Sequence, residues 1–231
     1  MPNFDIIRRS TPEKSFRVAS VMGTYDLQSN VCEERFTGEI TPPCNWQIGL
    51  IVGASGTGKT TIAKELYPNA YIERFEYTHE SILDDFPKER SMQEITQALT
   101  SVGLASVPSW LKPYNVLSNG EKMRCDLARA ILSDEQLFVF DEFTSVVDRN
   151  VAKIGSFAMQ KAIRKTNKRF IAVTCHYDVE DWLLPDWVFD TNSMTFRSNE
   201  GLKKIDPNAN STSTTQKKRS ITGVFLESIT I

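Results

Sequence analysis

Gly53-Ala54-Ser55-Gly56-Thr57-Gly58-Lys59-Thr60-Thr61 lies between an apolar run, Ile48 to Val52, and an amphipathic run, Ile62 to Tyr67. The spacing is G-x-x-x-x-G-K-[ST], with a strand expected before it and a helix after it. Glycines let successive backbone N–H groups turn inward around phosphate oxygens, where a Cβ would obstruct them. The following helix directs its positive N-terminus at the same anion. Lys59 then supplies a point charge for the β- and γ-phosphates, and the Thr60 hydroxyl is suited to ligate Mg²⁺. A bound nucleoside triphosphate on an α/β scaffold is the expectation.

Size and composition are compatible with that scaffold. The 231 residues suit one α/β domain with additions, and 40% hydrophobic with 24% charged residues is ordinary for a soluble protein. A net charge of −2 offers no global field to recruit nucleic acid or an acidic membrane surface. The N-terminal Met1-Pro-Asn-Phe-Asp5 lacks the basic-then-apolar order of a secretory signal. No apolar run approaches the ~20 residues of a membrane-spanning helix. Cys32, Cys44, Cys125 and Cys175 form no C-x-x-C pair, so a cytoplasmic protein with free thiols is expected.

Working outward from the loop, the first fifty residues read as β-rich, with strands at Phe4–Ile7 and Phe16–Met22 and turns at Gly23 and Ser29-Asn30. Ala70 to Tyr77 alternates like a strand. Ser81 to Ala105 carries helical spacing at Met92, Ile95, Leu99 and Val102. Pro108 and Pro113 mark a loop. A helix is predicted from Glu121 to Leu132, on the recurrence of Met123, Leu127, Ala130 and Ile131. Leu137–Phe140 is an apolar strand ending on Asp141-Glu142, and Asp148 caps a helix to about Lys165. Arg169–Thr174 is a further strand, and Trp187–Asp190 with Met194–Arg197 forms a terminal hairpin. The domain is therefore assigned to 1–200. Residues 201–231 form a polar low-complexity tail with β character returning at Gly223–Ile231.

The acids at the end of the 137–140 strand stand where α/β sheets bind ligands. Mg²⁺ prefers oxygen donors and keeps several waters, which suits Asp141, and Glu142 can orient or deprotonate a water. Ser118 with Glu121 forms a capping box at the start of the 121–132 helix, and Gly120 permits close approach of an anion. Taken together, these segments resemble the ATP-binding-cassette (ABC) ATPases. Leu117-Ser-Asn-Gly-Glu-Lys-Met-Arg-Cys-Asp-Leu-Ala-Arg-Ala-Ile131 is similar to that family's signature motif and its helix. Asp141-Glu-Phe-Thr-Ser-Val-Val-Asp148 is similar to its Walker B and D-loop, and His176 to its switch histidine.

The resemblance implies a P-loop fold of ABC-ATPase type, with a central mostly parallel sheet, an N-terminal antiparallel β part and a short helical insertion. It implies ATP and Mg²⁺ as cofactors and residues 53–61 as the triphosphate site. By position, Asp141 would serve Mg²⁺, Glu142 would act as catalytic base, and His176 would hold the γ-phosphate and water in line. Ser118 and Gly120 would cap ATP bound to a second copy in a head-to-tail homodimer, with Asp148 at that interface. An aromatic upstream of the loop would stack on adenine; Tyr25 is chosen over Phe36.

Some positions depart from the family pattern. Asn119 replaces a glycine, Glu121 a glutamine and Phe143 a proline. Glu121 puts a carboxylate near a γ-phosphate unless it turns away as the capping partner. No Q-loop glutamine can be placed; Thr78, His79 or Glu80 are stand-ins. The short Lys59–Ser118 interval leaves little room for a subdomain that docks on membrane partners. Residues 17–23 and 147–153 also resemble soluble ABC ATPases that occur fused to acetyltransferase-like domains, and no such domain is evident here.

The expected function is a soluble ATPase without membrane insertion that dimerises on ATP and regulates or remodels an unidentified protein partner. A transporter's ATP-binding subunit, a P-loop kinase and a nucleotide switch are the alternatives. The short cluster Lys217-Lys218-Arg219 gives nucleic acid only weak support.

Overall fold

In β3 (Ile48–Val52) every residue is buried, because it lies inside a sheet covered on both faces. The computed structural model describes residues 3–27, 29, 31–73 and 75–199. The expected tail and its terminal strand lie outside these residues, as does Asn30 of the expected Ser29-Asn30 turn.

Six strands form the main sheet in the order β4 (Tyr71–Ile72), β5 (Leu137–Phe140), β6 (Arg169–Thr174), β3, β7 (Trp187–Asp190) and β8 (Thr195–Ser198). All pairings are parallel except β7 with β8, which form the expected hairpin. A separate antiparallel pair, β1 (Asn3–Ser10) with β2 (Cys32–Glu39), is the N-terminal β part. The fold class is thus as the resemblance implied.

Alternate residues of the central strands feed two cores. Ile48, Leu50 and Val52 of β3, with Phe138, Phe170, Ala172 and Val188, point toward α3 (Met92–Ser101) and α5 (Asn119–Leu132). Ile51, Val139, Ile171, Val173, Trp187 and Phe189 point the other way, toward α2 (Lys59–Leu66) and the β1–β2 pair. Phe4 of β1 meets Phe189 edge-on at 5.7 Å, which seats the N-terminal pair on the second face. Gly49 is needed here, because a Cβ would lie 2.1 Å from the Trp187 indole.

Several expectations change. Residues 16–22 are not a strand but belong to α1 (Phe16–Thr24), capped by the Ser15 side chain on the Val18 N–H. Phe16, Val18 and Met22 would share one face of a strand, whereas Val18, Val21, Met22 and Tyr25 recur at helical steps, and the cap decides. Gly23 accordingly lies in the helix rather than in a turn. The 70–77 strand is only Tyr71–Ile72, because Phe75 and Tyr77 leave the sheet to pack under the Arg129 guanidinium. The 81–105 helix divides into a short 3₁₀ turn, Ile82–Asp85, and α3; Pro87 separates them and a Ser91–Glu94 capping box restarts the chain. Pro108 falls in α4 (Val107–Trp110), and Pro113 precedes a 3₁₀ turn, Tyr114–Val116.

The α6 helix (Arg149–Arg164) is also tied to the sheet by charge. The Asp186 carboxylate accepts from the N–H groups of Gln47 at 2.7 Å and Ile48 at 2.9 Å, and takes both arms of Arg164 at 2.7 and 2.9 Å. One side chain thus joins the starts of β3 and β7 to the end of α6. Burial alone would raise the Asp186 pKa, but Arg164 and the two backbone donors hold it below its ordinary 3.8.

A depressed carboxylate stabilises the fold fully above its unfolded pKa and loses that contribution as pH falls through the folded value. Asp186→Asn should therefore lower unfolding free energy at pH 7 by about 2–3 kcal/mol, read from urea midpoints. The wild-type advantage should disappear as the pH is taken below 3.8.

Candidate active site

The ends of β3, β5 and β6 lie side by side, and the residues that follow them form one edge. After β3, Gly56 and Gly58 adopt left-handed backbone with φ of 84° and 85°. These angles turn the chain into α2, whose first residue is Lys59. Lys59 is largely buried, and its ammonium donates to the Ala54 carbonyl at 2.7 Å. Gly58 also leaves no room for a side chain, since a Cβ would lie 2.4 Å from the Phe36 ring.

That contact bears on the aromatic choice. Phe36 is buried against the phosphate loop. Tyr25 caps the end of α1 with its ring 72% exposed, and no recorded contact joins it to the loop among the described residues.

From β5, Asp141 reaches the loop directly. Its Oδ2 accepts from the Thr60 hydroxyl at 2.7 Å, and its Oδ1 from the Glu142 N–H at 2.8 Å. A carboxylate and a hydroxyl converging in this way suit a hard divalent cation, so Mg²⁺ fits the donor set. Glu142 is exposed with φ 52°, and Thr144 has φ 67°. Between these left-handed residues Phe143 is fully buried against Phe140 and Phe170. Its N–H donates to the Val173 carbonyl at 2.8 Å, a bond that the family's proline could not make.

His176 follows β6. Its N–H donates to the Thr174 hydroxyl at 3.2 Å, and its buried Nδ1 has no protein partner among the described residues. Burial and the nearby Arg149 charge push its pKa below 6.5, so the ring is neutral at pH 7. A neutral imidazole has one donor and one acceptor to offer a ligand.

The other predicted residues sit on the α5 and α6 starts. Ser118 caps α5 with Glu121 in a capping box: the serine oxygen accepts the Glu121 N–H, and Ser118 N–H and hydroxyl donate to Glu121 Oε2 at 2.9 and 2.8 Å. Ser109 donates to the other carboxylate oxygen at 2.6 Å. With the Ser109 bond as the largest cause, the Glu121 pKa falls to about 2. The carboxylate is thus held between its own helix cap and Ser109 of α4. Gly120 packs against Val151, where a Cβ would sit 3.0 Å from the valine methyl. Asp148 caps α6, as expected, on the Asn150 and Val151 N–H groups. Arg149 pairs with Asp178, which ties this turn to the segment after His176. Among the described residues no hydrogen bond joins Ser118, Gly120 or Asp148 to residues 53–61.

Thr191 and Asn192 carry no motif signal, because they read only as turn residues after a strand. Yet the Thr191 and Thr57 hydroxyls meet at 2.5 Å, and Asn192 accepts the Ala54 N–H at 3.1 Å. The Asn192 amide also donates to the Tyr177 hydroxyl at 2.7 Å, joining the phosphate loop to the residue after His176. The stand-ins for the missing glutamine point elsewhere: the Thr78 and His79 N–H groups and the His79 ring all turn onto Asp85.

No protein-family model matches the chain. It is similar to the zinc import ATP-binding protein ZnuC 2 of Aliivibrio fischeri, 32% identical over 125 residues, covering 45% of this chain and 51% of that one. It is also similar to the aliphatic sulfonates import ATP-binding protein SsuB 2 of Frankia alni, 26% identical over 154 residues, covering 58% and 61%. The chain spans little more than half the length of these curated relatives. Among solved structures, a dimeric post-hydrolysis state of the ATP-binding cassette MJ0796 with ADP and Pi aligns with TM-score 0.53 at 15% identity, over 68% of this chain and 87% of that one. An inward-facing metal-chelate type ABC transporter aligns with TM-score 0.54 at 20% identity, over 71% and 75%. With the strand order, the loop after β3 and these likenesses agreeing, the chain has the fold of an ABC ATPase domain.

Proposed function

We propose that the chain binds ATP on residues 53–61 and hydrolyses it with Mg²⁺, working as a head-to-tail homodimer in the cytoplasm. The observation that carries this reading is the Thr60–Asp141 contact at 2.7 Å, which joins the loop helix to the acidic end of β5. Lys59 and the loop N–H groups hold the triphosphate, with Lys59 exchanging the Ala54 carbonyl for phosphate oxygens. Thr60 and Asp141 hold Mg²⁺, which when bound neutralises charge on the transferring phosphoryl group. Glu142 takes a proton from the attacking water as the water oxygen bonds to the γ-phosphorus and ADP departs. His176, neutral, orients that water and the γ-phosphate.

Ser118, Gly120 and Asp148 face a second copy's nucleotide. Closure around that nucleotide excludes water and adds anion-stabilising donors only in the dimer. Phe36, packed on Gly58, is a better candidate than Tyr25 for the base side of the site. The ATP cycle regulates or remodels a protein partner. A second reading, an ATP-binding subunit of a transporter, is favoured by the names of the curated relatives, which are import ATP-binding proteins. Among the described residues no helix is long and apolar enough to cross a membrane.

Light scattering of Glu142→Gln with Mg-ATP should give a dimer that the ATP-free protein lacks, and adding Ser118→Arg should weaken it. A variant that stays monomeric at saturating ATP contradicts the shared-site reading. The two left-handed glycines provide a second test by equilibrium dialysis of ATP. Gly58→Ala should abolish binding, because strain of about 1–2 kcal/mol is compounded by the clash with Phe36. Gly56→Ala has nothing within 4 Å of its Cβ and should suffer the strain alone, a loss of about tenfold.

A further inference from the structure

The carboxylate assigned to the metal has a third partner that no motif predicts. Tyr71, in β4 beside Val139 of β5, donates its hydroxyl to Asp141 Oδ2 at 2.5 Å. This is the same oxygen that accepts the Thr60 hydroxyl at 2.7 Å. With the Glu142 N–H on Oδ1, both carboxylate oxygens are engaged and the group is fixed in plane and rotation. The phenol is itself held: the Lys64 ammonium lies 4.9 Å from its ring centroid, and Lys64 is paired with Glu73 at 2.9 Å. Tyr71 and Glu73 line a cleft of about 440 Å³ whose wall includes Asp141 and Glu142, whereas Thr78 and His79 are turned onto Asp85.

We infer that Tyr71 is a positioning residue for the metal site: it orients the Asp141 carboxylate for the divalent cation and joins the β4 segment to that site. The inference rests on the reading of Thr60 and Asp141 as the cation's oxygen donors. A carboxylate that meets a metal in one geometry needs outer hydrogen bonds to hold that geometry, and losing one typically lowers metal affinity by 10–100-fold. When the Thr60 hydroxyl turns to the cation, Tyr71 is the side-chain donor that remains on Oδ2. It also joins β4 to the acidic end of β5, where Ile72 lies opposite Phe140. The role demands the hydroxyl, not the ring, so Tyr71→Phe isolates it while leaving the contact with Lys64 in place.

The test compares wild type and Tyr71→Phe by calorimetric titration of the non-hydrolysable analogue AMP-PNP, once in EDTA and once with Mg²⁺. Mn²⁺ electron paramagnetic resonance of the nucleotide-loaded protein follows the cation directly. The expected result is an unchanged affinity in EDTA, an unchanged thermal midpoint, and a gain in affinity from Mg²⁺ that falls about tenfold or more in the variant. Mn²⁺ release should shift by the same factor. An equal Mg²⁺-dependent gain in both proteins overturns the inference. Parallel losses in EDTA affinity and thermal midpoint also overturn it, assigning Tyr71 to packing. If wild type binds the nucleotide in EDTA and gains nothing from Mg²⁺, the cation site itself is wrong and both readings fall. Tight Mg²⁺-dependent binding that ignores Tyr71→Phe removes the inference and leaves the proposed function standing.

Discussion

The parallel pairing of β3 with β5's neighbour β6 is the constraint on which the candidate site depends. Val52 lies opposite Thr174 in that register, and Phe140 of β5 lies opposite Ala172. β3 and β6 therefore end together with β5 two residues short of them, and the phosphate loop, Asp141-Glu142 and His176 emerge at a common edge although they are distant in sequence. A one-residue slip in either pairing would exchange the two core faces and move a reacting group by a strand step. Close packing on both faces opposes such a slip, since side chains such as Leu50 and Phe170 on one face and Ile51 and Ile171 on the other are already fitted to their neighbours. Asp186 reinforces the other side of β3 through two backbone N–H groups and Arg164.

Much of this arrangement could be read from the chain before folding. The central strands are short apolar runs, and the helix starts are marked by capping groups at Ser118 and Asp148, so local chemistry names them. The loop sequence carries its own backbone requirement in Gly56 and Gly58. What could not be read was set by tertiary contact. Residues 16–22 offer apolar side chains at positions consistent with either period, and Ser15 selects the helix. Phe75 and Tyr77 have the alternation of a strand, but Arg129 draws both rings off the sheet. The same blindness hid Tyr71, Thr191 and Asn192. Each is an ordinary strand or turn residue whose partner is supplied only by the fold.

The departures from the ABC pattern acquire physical explanations. Glu121 keeps its charge, and Ser109 and Ser118 hold its oxygens in the helix cap. Phe143 exchanges a ring constraint for a backbone donor onto Val173 and a buried aromatic between Phe140 and Phe170. The acidic turn is thus anchored by burial and hydrogen bonding on β6, the strand that carries His176. The Thr78 and His79 N–H groups turn onto Asp85, and from β4 it is the Tyr71 hydroxyl that reaches Asp141.

The helix α1 has nine residues and none is buried. Ordering a residue costs about 1–2 kcal/mol of backbone entropy, and a helix this short is not stable in isolation. Among the described residues its order rests on the Ser15 cap and its own backbone hydrogen bonds rather than on burial. Its free energy of local opening must then lie far below that of the sheet, and opening it removes almost nothing from either core. A protease or a binding partner meets this segment as a separable unit, with Phe16 and Tyr25 already in solvent. Opening α1 would leave both cores of the sheet intact, since none of its residues belongs to either.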